Sequence, residues 1–469
     1  MNIEIVSAKK QNRIQNVFVA IFQNSPLEKE AIFSLFSSEW KAAASAAIKE
    51  FRGEEREIKS LYIPGAFPER LVLFGLGEEE KWNARKFPLI VRRMVQYAKS
   101  EKIKECAVSL AHAEKKYAEE RDFLRVFGEN AVMANFDFTF YKEKPKEGWP
   151  SVERMAIIPQ KDISKEAAQS MQEGIIIGEE TNHARRLANT PGGEMTPSVL
   201  AKEADQAGKR HAVAIRVRVL GKKELEKMGA GGILSVAKGS KEEPKLIVME
   251  YRPRKAMAKK ANPLVLIGKG VTFDTGGLNL KPEHAIHEMH MDMSGGAAVI
   301  HGIAAIARLH IPVHVFGVIP AVENMPSGSS YRPGDILKSL SGKTIEVLNT
   351  DAEGRIILAD ALTYAHKFSP SLMVTFATLT GSSHVALGNY CSAIFTADEN
   401  LQKKLIEVGL QSGDYVWPLP LWDEYLEEIK GTFGDIANIG KVRYGDAIHA
   451  AKFLEQFAGK NSWAHIDIA

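Results

Sequence analysis

Apolar runs of strand length, separated by helix-like stretches, are the feature that most restricts the fold of the later part of the chain. Such runs occupy residues 264–267, 313–319 and 372–377, and the stretches 295–309 and 356–366 between them are rich in Ala, Ile and Leu. A strand that is apolar throughout needs cover on both of its faces. The pattern therefore predicts an α/β domain with a mixed, mostly parallel sheet covered by helices.

A polar segment at residues 141–150, YKEKPKEGWP, divides the chain into two predicted domains. It combines charged residues with two prolines and a glycine, and the total of 469 residues exceeds the usual length of one domain. Before this segment, strand-like runs alternate with an amphipathic stretch at residues 88–100. Residues 1–150 are thus predicted to form a smaller α/β domain with a scaffold or assembly role, and residues 151–469 the larger α/β domain.

Charge and cysteine content exclude several classes of protein. The net charge of +3 comes from 61 basic and 58 acidic residues, so neither nucleic acid nor an anionic membrane is required as a partner. The two cysteines, Cys106 and Cys391, provide no disulfide scaffold and favour a reducing compartment. No secretory signal is visible, and no apolar run reaches the roughly 20 residues that a bilayer requires. We therefore expect a cytoplasmic protein without a membrane partner.

Three glycine-containing loops of the larger domain concentrate charged residues. GKGVTFDTGGLNLKP at 268–282 follows the apolar run 264–267, whereas MDMSGG at 291–296 and NTDAEGR at 349–355 each precede a helix-like stretch. In such sheets, ligands bind beyond the carboxyl ends of the strands. The loops supply four acids, two lysines and one arginine, namely Asp274, Asp292, Asp351, Glu353, Lys269, Lys281 and Arg355.

Carboxylates that converge on one place repel one another unless cations neutralise them. Two divalent ions about 3.5 to 4 Å apart would do so, and they need carboxylates that can bridge them. Oxygen-rich ligands without thiolate or imidazole admit Zn, Mn, Mg or Co, and the residues themselves do not choose among these metals. The alternative is that the acids are helix caps and turn residues, which suits one acid better than all seven charged residues together.

The motifs GKGVTFDTGG, NTDAEGR and YRPGDIL (331–337) closely resemble those of the leucyl aminopeptidase family, also called the cytosol aminopeptidase family. The resemblance covers nearly all of residues 182–469, including TNHARRLANTPGGEMTP at 181–197 and ATLTG at 377–381. The first domain is matched more weakly, through ERLVLFGLG at 69–77. The resemblance implies a metal-dependent aminopeptidase that removes N-terminal residues, preferably Leu and other apolar residues, by means of a water activated by two metal ions.

The resemblance also implies which residues bind the metals. The tighter ion would be held by Lys269, Asp274, Asp292 and Glu353, and the more exchangeable one by Asp274, Asp351 and Glu353, with the Asp351 carbonyl as a further ligand. Zn or Mn is the expected pair of ions, with Mg or Co as the other options. A lysine that binds a metal must give up its proton, so Lys269 would be neutral in the loaded site.

Further residues receive roles through the same resemblance. Lys281 would polarise the scissile carbonyl and stabilise the oxyanion, and Arg355 would hold a bicarbonate ion that acts as the general base. The pocket for the first side chain would be lined by Met289, Asn349, Thr378, Leu379 and Gly381. The expected substrates are peptides with a free N-terminus, because a free α-amine can bind one of the metals.

The family also raises questions of assembly and of a second function. Its members form homohexamers, so we expect the same here. Some members bind DNA as accessory proteins, and DNA binding, in addition to catalysis or in its place, is the alternative function, although the near-neutral charge disfavours it. The histidines at 284, 287 and 290 could be taken for zinc ligands because of their regular spacing, but the family has no histidine ligands. The chain stops at WAHIDIA, where relatives continue with a glycine-rich tail, so a short C-terminal tail is expected.

Overall fold

Two sheets that are rich in parallel strands organise the chain in the computed structural model. Its residues fall into two compact units, Met1–Asn182 and His183–Ala469, and each is described by itself. The structure describes residues 1–6, 14–25, 33, 36–114, 120–159, 162–210, 215–253 and 262–469.

The first unit contains a six-stranded sheet with the strand order β1-β6-β5-β2-β4-β3, parallel except for the β3–β4 pair. Its strands are β1 Asn2–Ile5, β2 Asn16–Ile21, β3 Ile58–Tyr62, β4 Arg70–Gly75, β5 Glu105–Ser109 and β6 Arg154–Ile158. Its helices are α1 Ser38–Glu50, α2 Lys86–Ser100, α3 Ala111–Glu114, α4 Glu120–Ala134 and α5 Lys165–Asn189, the last of which contains the division between the units.

Both faces of the first sheet are buried, as its apolar strands require. In β2, Phe18 packs into one apolar cluster, whereas Val17 and Val19 pack into the cluster on the opposite face. Successive side chains of a strand point to opposite faces, so a run without polar residues has a core on each side. The α/β character predicted for this part of the chain is thus present.

The division between the units lies later than the predicted linker at 141–150. Strand β6 begins at Arg154, after that segment, and is hydrogen bonded between β1 and β5 of the first sheet. Asn182 is also tied to this unit, because its side-chain amide donates to the carbonyl of Val132 at 2.9 Å. Residues 151–182 therefore belong to the first unit, and the polar segment 141–150 is a loop inside it.

The second unit carries the larger sheet. Its strands are β7 Ile215–Leu220, β8 Lys245–Tyr251, β9 Leu264–Gly268, β10 Gly270–Asp274, β11 Val315–Asn324, β12 Ile336–Lys338, β13 Thr344–Glu346, β14 Leu372–Ala377, β15 Ser392–Phe395, β16 Val416–Pro418, β17 Ile436–Ala437 and β18 Ser462–Asp467. Its helices are α6 Pro197–Lys209, α7 Lys222–Met228, α8 Gly231–Val236, α9 Glu283–Ile286, α10 Ser294–Arg308, α11 Glu353–Ala365, α12 Gly381–Leu387, α13 Glu399–Ser412 and α14 Asp446–Ala458.

Nine strands form this sheet, in the order β16-β15-β18-β14-β9-β11-β8-β7 with β10 beside β11. The neighbours β18, β14, β9 and β11 run parallel, while β8, β7 and β15 supply antiparallel pairs. A small sheet, β12-β13-β17, accompanies it. The predicted fold class, a mixed and mostly parallel sheet covered by helices, is confirmed.

Apolar side chains cover both faces of the large sheet. In β9, Val265 and Ile267 belong to one core cluster, whereas Leu264 and Leu266 pack against the other. Helix α11 lies in the first cluster and α10 in the second, so each face has its own helix. The described residues include no helix that is both long and apolar enough to cross a bilayer.

Candidate active site

Polar residues gather where four neighbouring parallel strands end. Lys269 follows β9, Asn324 is the last residue of β11, Thr378 follows β14, and Asp467 ends β18. Because parallel strands have their carboxyl ends at one edge of the sheet, these four positions lie side by side. The charged segment 268–282 begins at this edge, and the other two charged loops reach it through the contacts of Asp292 and Glu353 with Lys269.

Lys269 lies at the centre of one half of the charged cluster. Its ammonium nitrogen is 2.8 Å from Asp292 Oδ1 and 2.9 Å from Glu353 Oε1, and it donates to the carbonyl of Thr378 at 2.9 Å. Glycine at residue 354 leaves room for this position of the side chain, since a Cβ there would lie 2.8 Å from Lys269 Nζ. The NTDAEGR loop thus provides both an acid and the space for the lysine.

Glycines also allow the backbone segments around Lys269 to touch. A Cβ at Gly268 would lie 2.4 Å from the carbonyl oxygen of Gly295, and a Cβ at Gly295 would lie 2.1 Å from that of Phe376. The end of β9, the start of α10 and the end of β14 therefore pack backbone against backbone. This close packing holds Asp292, two residues before the start of α10, next to Lys269.

Lys281 occupies the other half of the cluster. Its ammonium group forms ion pairs with Asp351 and with Asp274, the latter at 2.8 Å from Oδ2. The second oxygen of Asp274 accepts hydrogen bonds from the Asn324 amide at 2.8 Å and from the backbone N–H of Gly276 at 2.9 Å. Asp274 therefore has one oxygen fixed by the protein and the other turned toward Lys281.

The structure brings the four predicted acids and two predicted lysines into one cluster. Oxygen atoms of Asp274, Asp351 and Glu353 all lie within 4.8 Å of one another, and Asp292 joins them through Lys269. Four carboxylates face two ammonium groups, so two negative charges have no matching cation in the cluster when all four acids are ionised. Such a surplus in a buried place calls for additional positive charge.

Burial and mutual repulsion shift the pKa values of these groups. Burial raises the pKa of Asp351 to about 7, with Asp274 and Glu353 adding to the shift. Burial also raises the pKa of Asp292 well above its usual value and raises that of Glu353. Burial by itself would lower the pKa of Lys269, but the carboxylates around it outweigh this effect and raise the pKa. Lys281 behaves in the same way, with Asp274 as the strongest neighbouring charge.

The donor set of this cluster fits divalent metal ions. Three carboxylates can each offer an oxygen to a common point, and hard oxygen donors of this kind suit ions such as Mn or Mg as well as Zn. Asp292 Oδ2 is buried and has no hydrogen-bond partner within the described part of the chain. An unpaired buried carboxylate oxygen is costly unless a cation can use it.

Arg355 lies beside the cluster and is almost fully buried. One terminal nitrogen donates to the Asn438 carbonyl at 2.9 Å, and the other pairs with Asp446 Oδ1 at 3.1 Å. Its Nε is buried and, among the residues that the structure describes, has no hydrogen-bond partner. A guanidinium with one unused donor at the wall of a cavity has the chemistry required to hold a small anion.

A cavity of about 560 Å³ opens next to the charged cluster. Lys281, Asp351 and Arg355 line it, and so do three of the predicted pocket residues, Asn349, Leu379 and Gly381. The other two pocket residues are placed differently: Met289 lies in a short 3-10 turn before Asp292, and neither it nor Thr378 is among the described residues that line this cavity.

Thr378 instead supports the acid cluster. Its hydroxyl donates to Asp292 Oδ1 at 2.7 Å, while its carbonyl accepts from Lys269. Both contacts fix residues proposed as metal ligands.

Of the three histidines near Asp292, His284 and His287 are exposed and His290 is half-buried.

Sequence reasoning missed several polar residues that hold the site together. Asn324 is fully buried and links Asp274 to the Thr350 carbonyl, and the buried Asp467 accepts from the Thr380 hydroxyl at 2.6 Å and from the backbone N–H of Leu379 at 3.0 Å. Each of them is a polar residue at the end of an apolar strand, which was the available signal. Asn438 and the cavity segment 439–443 gave no such signal.

Comparison with known proteins gives the same assignment to both units. The protein-family model described as "Cytosol aminopeptidase family, catalytic domain" matches residues 182–469. The family model described as "Cytosol aminopeptidase family, N-terminal domain" matches residues 18–145. The probable cytosol aminopeptidase of Methylobacillus flagellatus is 40% identical over 408 residues, which cover 87% of this chain and 81% of that protein. That of Nitrosococcus oceani is 37% identical over 473 residues, which cover 100% of this chain and 93% of that protein.

A solved structure is similar along almost the whole chain. The bottromycin maturation enzyme BotP in complex with Mn superposes with a TM-score of 0.83 at 28% identity, covering 97% of this chain and 92% of that one. Together with the two matching family models, this confirms the resemblance found in the motifs and identifies a metal-dependent aminopeptidase, a hydrolase of peptide bonds. The chain belongs to the cytosol aminopeptidase family.

Proposed function

We propose that this chain removes N-terminal residues, with Leu and other apolar residues preferred, through a site that holds two divalent metal ions. The observation that carries the proposal is the convergence of Asp274, Asp351 and Glu353, whose oxygens lie within 4.8 Å of one another beside a cavity of about 560 Å³. Two divalent ions carry four positive charges, which is the number needed to balance the four carboxylates of the cluster. Zn or Mn is the proposed pair, with Mg or Co as alternatives.

The two ions would share ligands. Lys269, Asp274, Asp292 and Glu353 would bind the tighter ion, and Asp274, Asp351 and Glu353 the more exchangeable one. When bound, the ions supply Lewis-acid polarisation of the carbonyl and lower the pKa of a water molecule. Lys269 would have to release its proton, which the surrounding carboxylates oppose in the metal-free protein.

Lys281 is proposed to act on the substrate carbonyl. Its side chain lines the cavity and is held in place by Asp274 and Asp351. A fixed ammonium group can donate a hydrogen bond to the carbonyl oxygen and stabilise the negative charge that develops there during attack. Because this interaction strengthens in the transition state, it would contribute mainly to kcat.

Arg355 is proposed to hold a bicarbonate ion. Its buried Nε offers a free donor among the described residues, and the residue lines the same cavity as Lys281. Bicarbonate, when bound there, supplies a proton acceptor close to the reaction. Asp446 and Asn438 keep the guanidinium in one orientation for this purpose.

Substrate selection would follow from the same geometry. A free α-amine can bind a metal while the first carbonyl approaches Lys281, which an internal peptide bond cannot do. Leu379 and Gly381 give the cavity apolar and open wall positions, and Asn349 lines it as well. Met289 and Thr378, which lie outside its described lining, are the other two proposed pocket residues. Apolar contacts distinguish side chains by only about 1 to 3 kcal/mol, so the preference for Leu should be moderate.

Cytoplasmic location and a homohexamer complete the proposal. Both cysteines are free, which suits a reducing compartment. The apolar side chains of Val385, Tyr390 and Phe433 are exposed by 86%, 87% and 84%, and assembly would cover such surfaces. A mass of six chains of 51.8 kDa in light scattering would support the homohexamer. DNA binding is not proposed, because a net charge of +3 provides little affinity for phosphates.

Hydrolysis of leucine p-nitroanilide by the purified chain tests the function. We expect turnover that requires added Mn or Zn, disappears with a chelator and returns when metal is restored. The matched substrate N-acetyl-leucine p-nitroanilide should not be cleaved, because its amine is blocked. Equal hydrolysis of both substrates, or hydrolysis that is insensitive to the chelator, would refute the proposal.

A further inference from the structure

We infer that Arg443 binds a substrate carboxylate located just beyond the scissile bond, so that peptides with a carboxylate at that position are preferred. The inference rests on the proposed aminopeptidase function and adds a specificity residue to it. The carboxylate has two possible sources, an acidic side chain in the second residue or the chain terminus of a dipeptide. Both offer the same planar group to a guanidinium.

The balance of charge around the cavity is the first observation. Six charged side chains line it, namely Lys281, Asp351, Arg355, Lys441, Arg443 and Asp446. Lys281 is paired with Asp351 and Asp274, and Arg355 is paired with Asp446. Both carboxylates that line the cavity, Asp351 and Asp446, are thus ion-paired with Lys281 and Arg355.

Among the residues that the structure describes, the other two cations of the cavity lining, Lys441 and Arg443, have no carboxylate partner. Lys441 donates to the backbone carbonyl of Glu427 at 2.7 Å, a neutral acceptor that leaves its charge uncompensated. Arg443 is exposed and, in the part of the chain that the structure describes, makes neither a hydrogen bond nor an ion pair. The segment 439–443 therefore presents an unused guanidinium and a second positive charge to the cavity.

The position of these cations points to the leaving part of the substrate. The substrate amine and first carbonyl would be taken by the acid cluster and Lys281, and the first side chain by the wall that contains Leu379 and Gly381. The remaining wall, which includes Val442 and Arg443, is left for the residue after the scissile bond. Arg443 suits this role better than Lys441, because the ammonium group of Lys441 already donates to the backbone carbonyl of Glu427.

Paired substrates test the inference, measured with the metal-loaded protein. Leu-Asp-amide is compared with Leu-Asn-amide, which differs only in the side-chain charge, and Leu-Gly with Leu-Gly-amide, which differs only at the terminus. We expect kcat/KM to be about fivefold higher for the carboxylate member of at least one pair, mainly through KM, as a partly exposed ion pair allows. Raising the salt concentration should reduce this ratio.

Variants assign the effect to one side chain. In Arg443→Gln the ratio should fall to about one, and in Arg443→Glu below one, because like charges repel. Arg332→Gln, which removes an exposed arginine that does not line the cavity, should keep the parent ratio. If only the Leu-Asp-amide and Leu-Asn-amide pair shows a ratio above one, the carboxylate that Arg443 binds is an acidic side chain. If only the Leu-Gly and Leu-Gly-amide pair does so, it is the terminal carboxylate of a dipeptide.

Two results overturn the inference. The first is a ratio near one for both pairs in the parent protein, and the second is a parent-like ratio in both Arg443 variants. Hydrolysis of leucine p-nitroanilide by the parent separates this failure from that of the proposed function. If the anilide is cleaved, only the role of Arg443 falls; if no substrate is cleaved, the aminopeptidase proposal falls and the inference with it.

Discussion

The Lys281→Met variant is expected to retain its metal ions and to lose about 10²- to 10³-fold in kcat, the usual cost of removing one donor to a developing oxyanion. Methionine has a similar length but no charge, so the cavity wall is preserved while the hydrogen bond to the carbonyl oxygen is lost. KM should change little, because the donor acts mainly in the transition state. Hydrolysis of leucine p-nitroanilide, with metal content measured in parallel, gives both quantities.

Two matched variants show whether the loss belongs to this position. Lys338→Met removes an exposed lysine of the same unit and should leave kcat unchanged. Lys281→Arg keeps the charge but moves the donor, so it should recover only part of the rate. A kcat within about twofold of the parent in Lys281→Met would contradict the oxyanion role. Loss of the metals in that variant would show a structural role instead.

Gly354→Ala is expected to disrupt the site from within helix α11. The added methyl group would lie 2.7 Å from Lys269 Cε and 2.8 Å from Nζ, so the lysine must move away from Asp292 and Glu353. A displacement of about 1 Å in a catalytic site can cost about 100-fold in rate, and we expect a loss of that size together with weaker binding of the tighter ion. Overpacking should also lower the free energy of unfolding by about 1 to 3 kcal/mol.

Gly302→Ala is the matched control for this substitution. Gly302 lies within helix α10, and among the described residues no atom other than the neighbouring backbone of its own helix lies within 4 Å of the position that its Cβ would occupy. Alanine is the better helix former, so this variant should be more stable by up to about 1 kcal/mol with unchanged metal affinity. Parent-like metal affinity and rate in Gly354→Ala would show that the close approach to Lys269 does not matter.

The sequence predicted those parts of the fold that depend on local apolar patterns. The runs at 264–267 and 372–377 became β9 Leu264–Gly268 and β14 Leu372–Ala377, because apolar residues in both alternating positions suit a strand buried on both faces. The run at 313–319 was cut short at Pro320, whereas β11 continues to Asn324. That extension exists because β10 pairs with residues 321–324, a long-range contact.

Long-range pairing also explains the boundary. The segment 141–150 has the composition of a linker, but β6 follows it and fits between β1 and β5, which lie about 150 and 50 residues earlier in the chain. No local pattern reveals that the chain returns to its first sheet after such a loop. Composition can place a loop, but only strand pairing decides which unit the next strand joins.

The charged site was predictable for a different reason. Lys269 follows β9 and Asp274 ends β10, so their sequence position places them at the sheet edge, while Asp292 and Glu353 stand at the starts of α10 and α11. Their supporting residues were not predictable, because the contacts of Asp467 with Thr380 and of Asn438 with Arg355 join segments 87 and 83 residues apart. The same holds for Arg443, whose position at the cavity depends on how the segment 439–443 packs.

The metal content of the purified, metal-loaded chain decides whether two divalent ions occupy the acid cluster. We predict about two ions per chain in the parent and the loss of at least the exchangeable ion in the double variant Asp351→Asn, Glu353→Gln. Asp360→Asn is the matched control, since Asp360 is also a buried acid of α11 but accepts from the backbone N–H groups of Ile233 and Leu340; it should keep both ions. Equal metal content in the double variant and the parent would contradict the account.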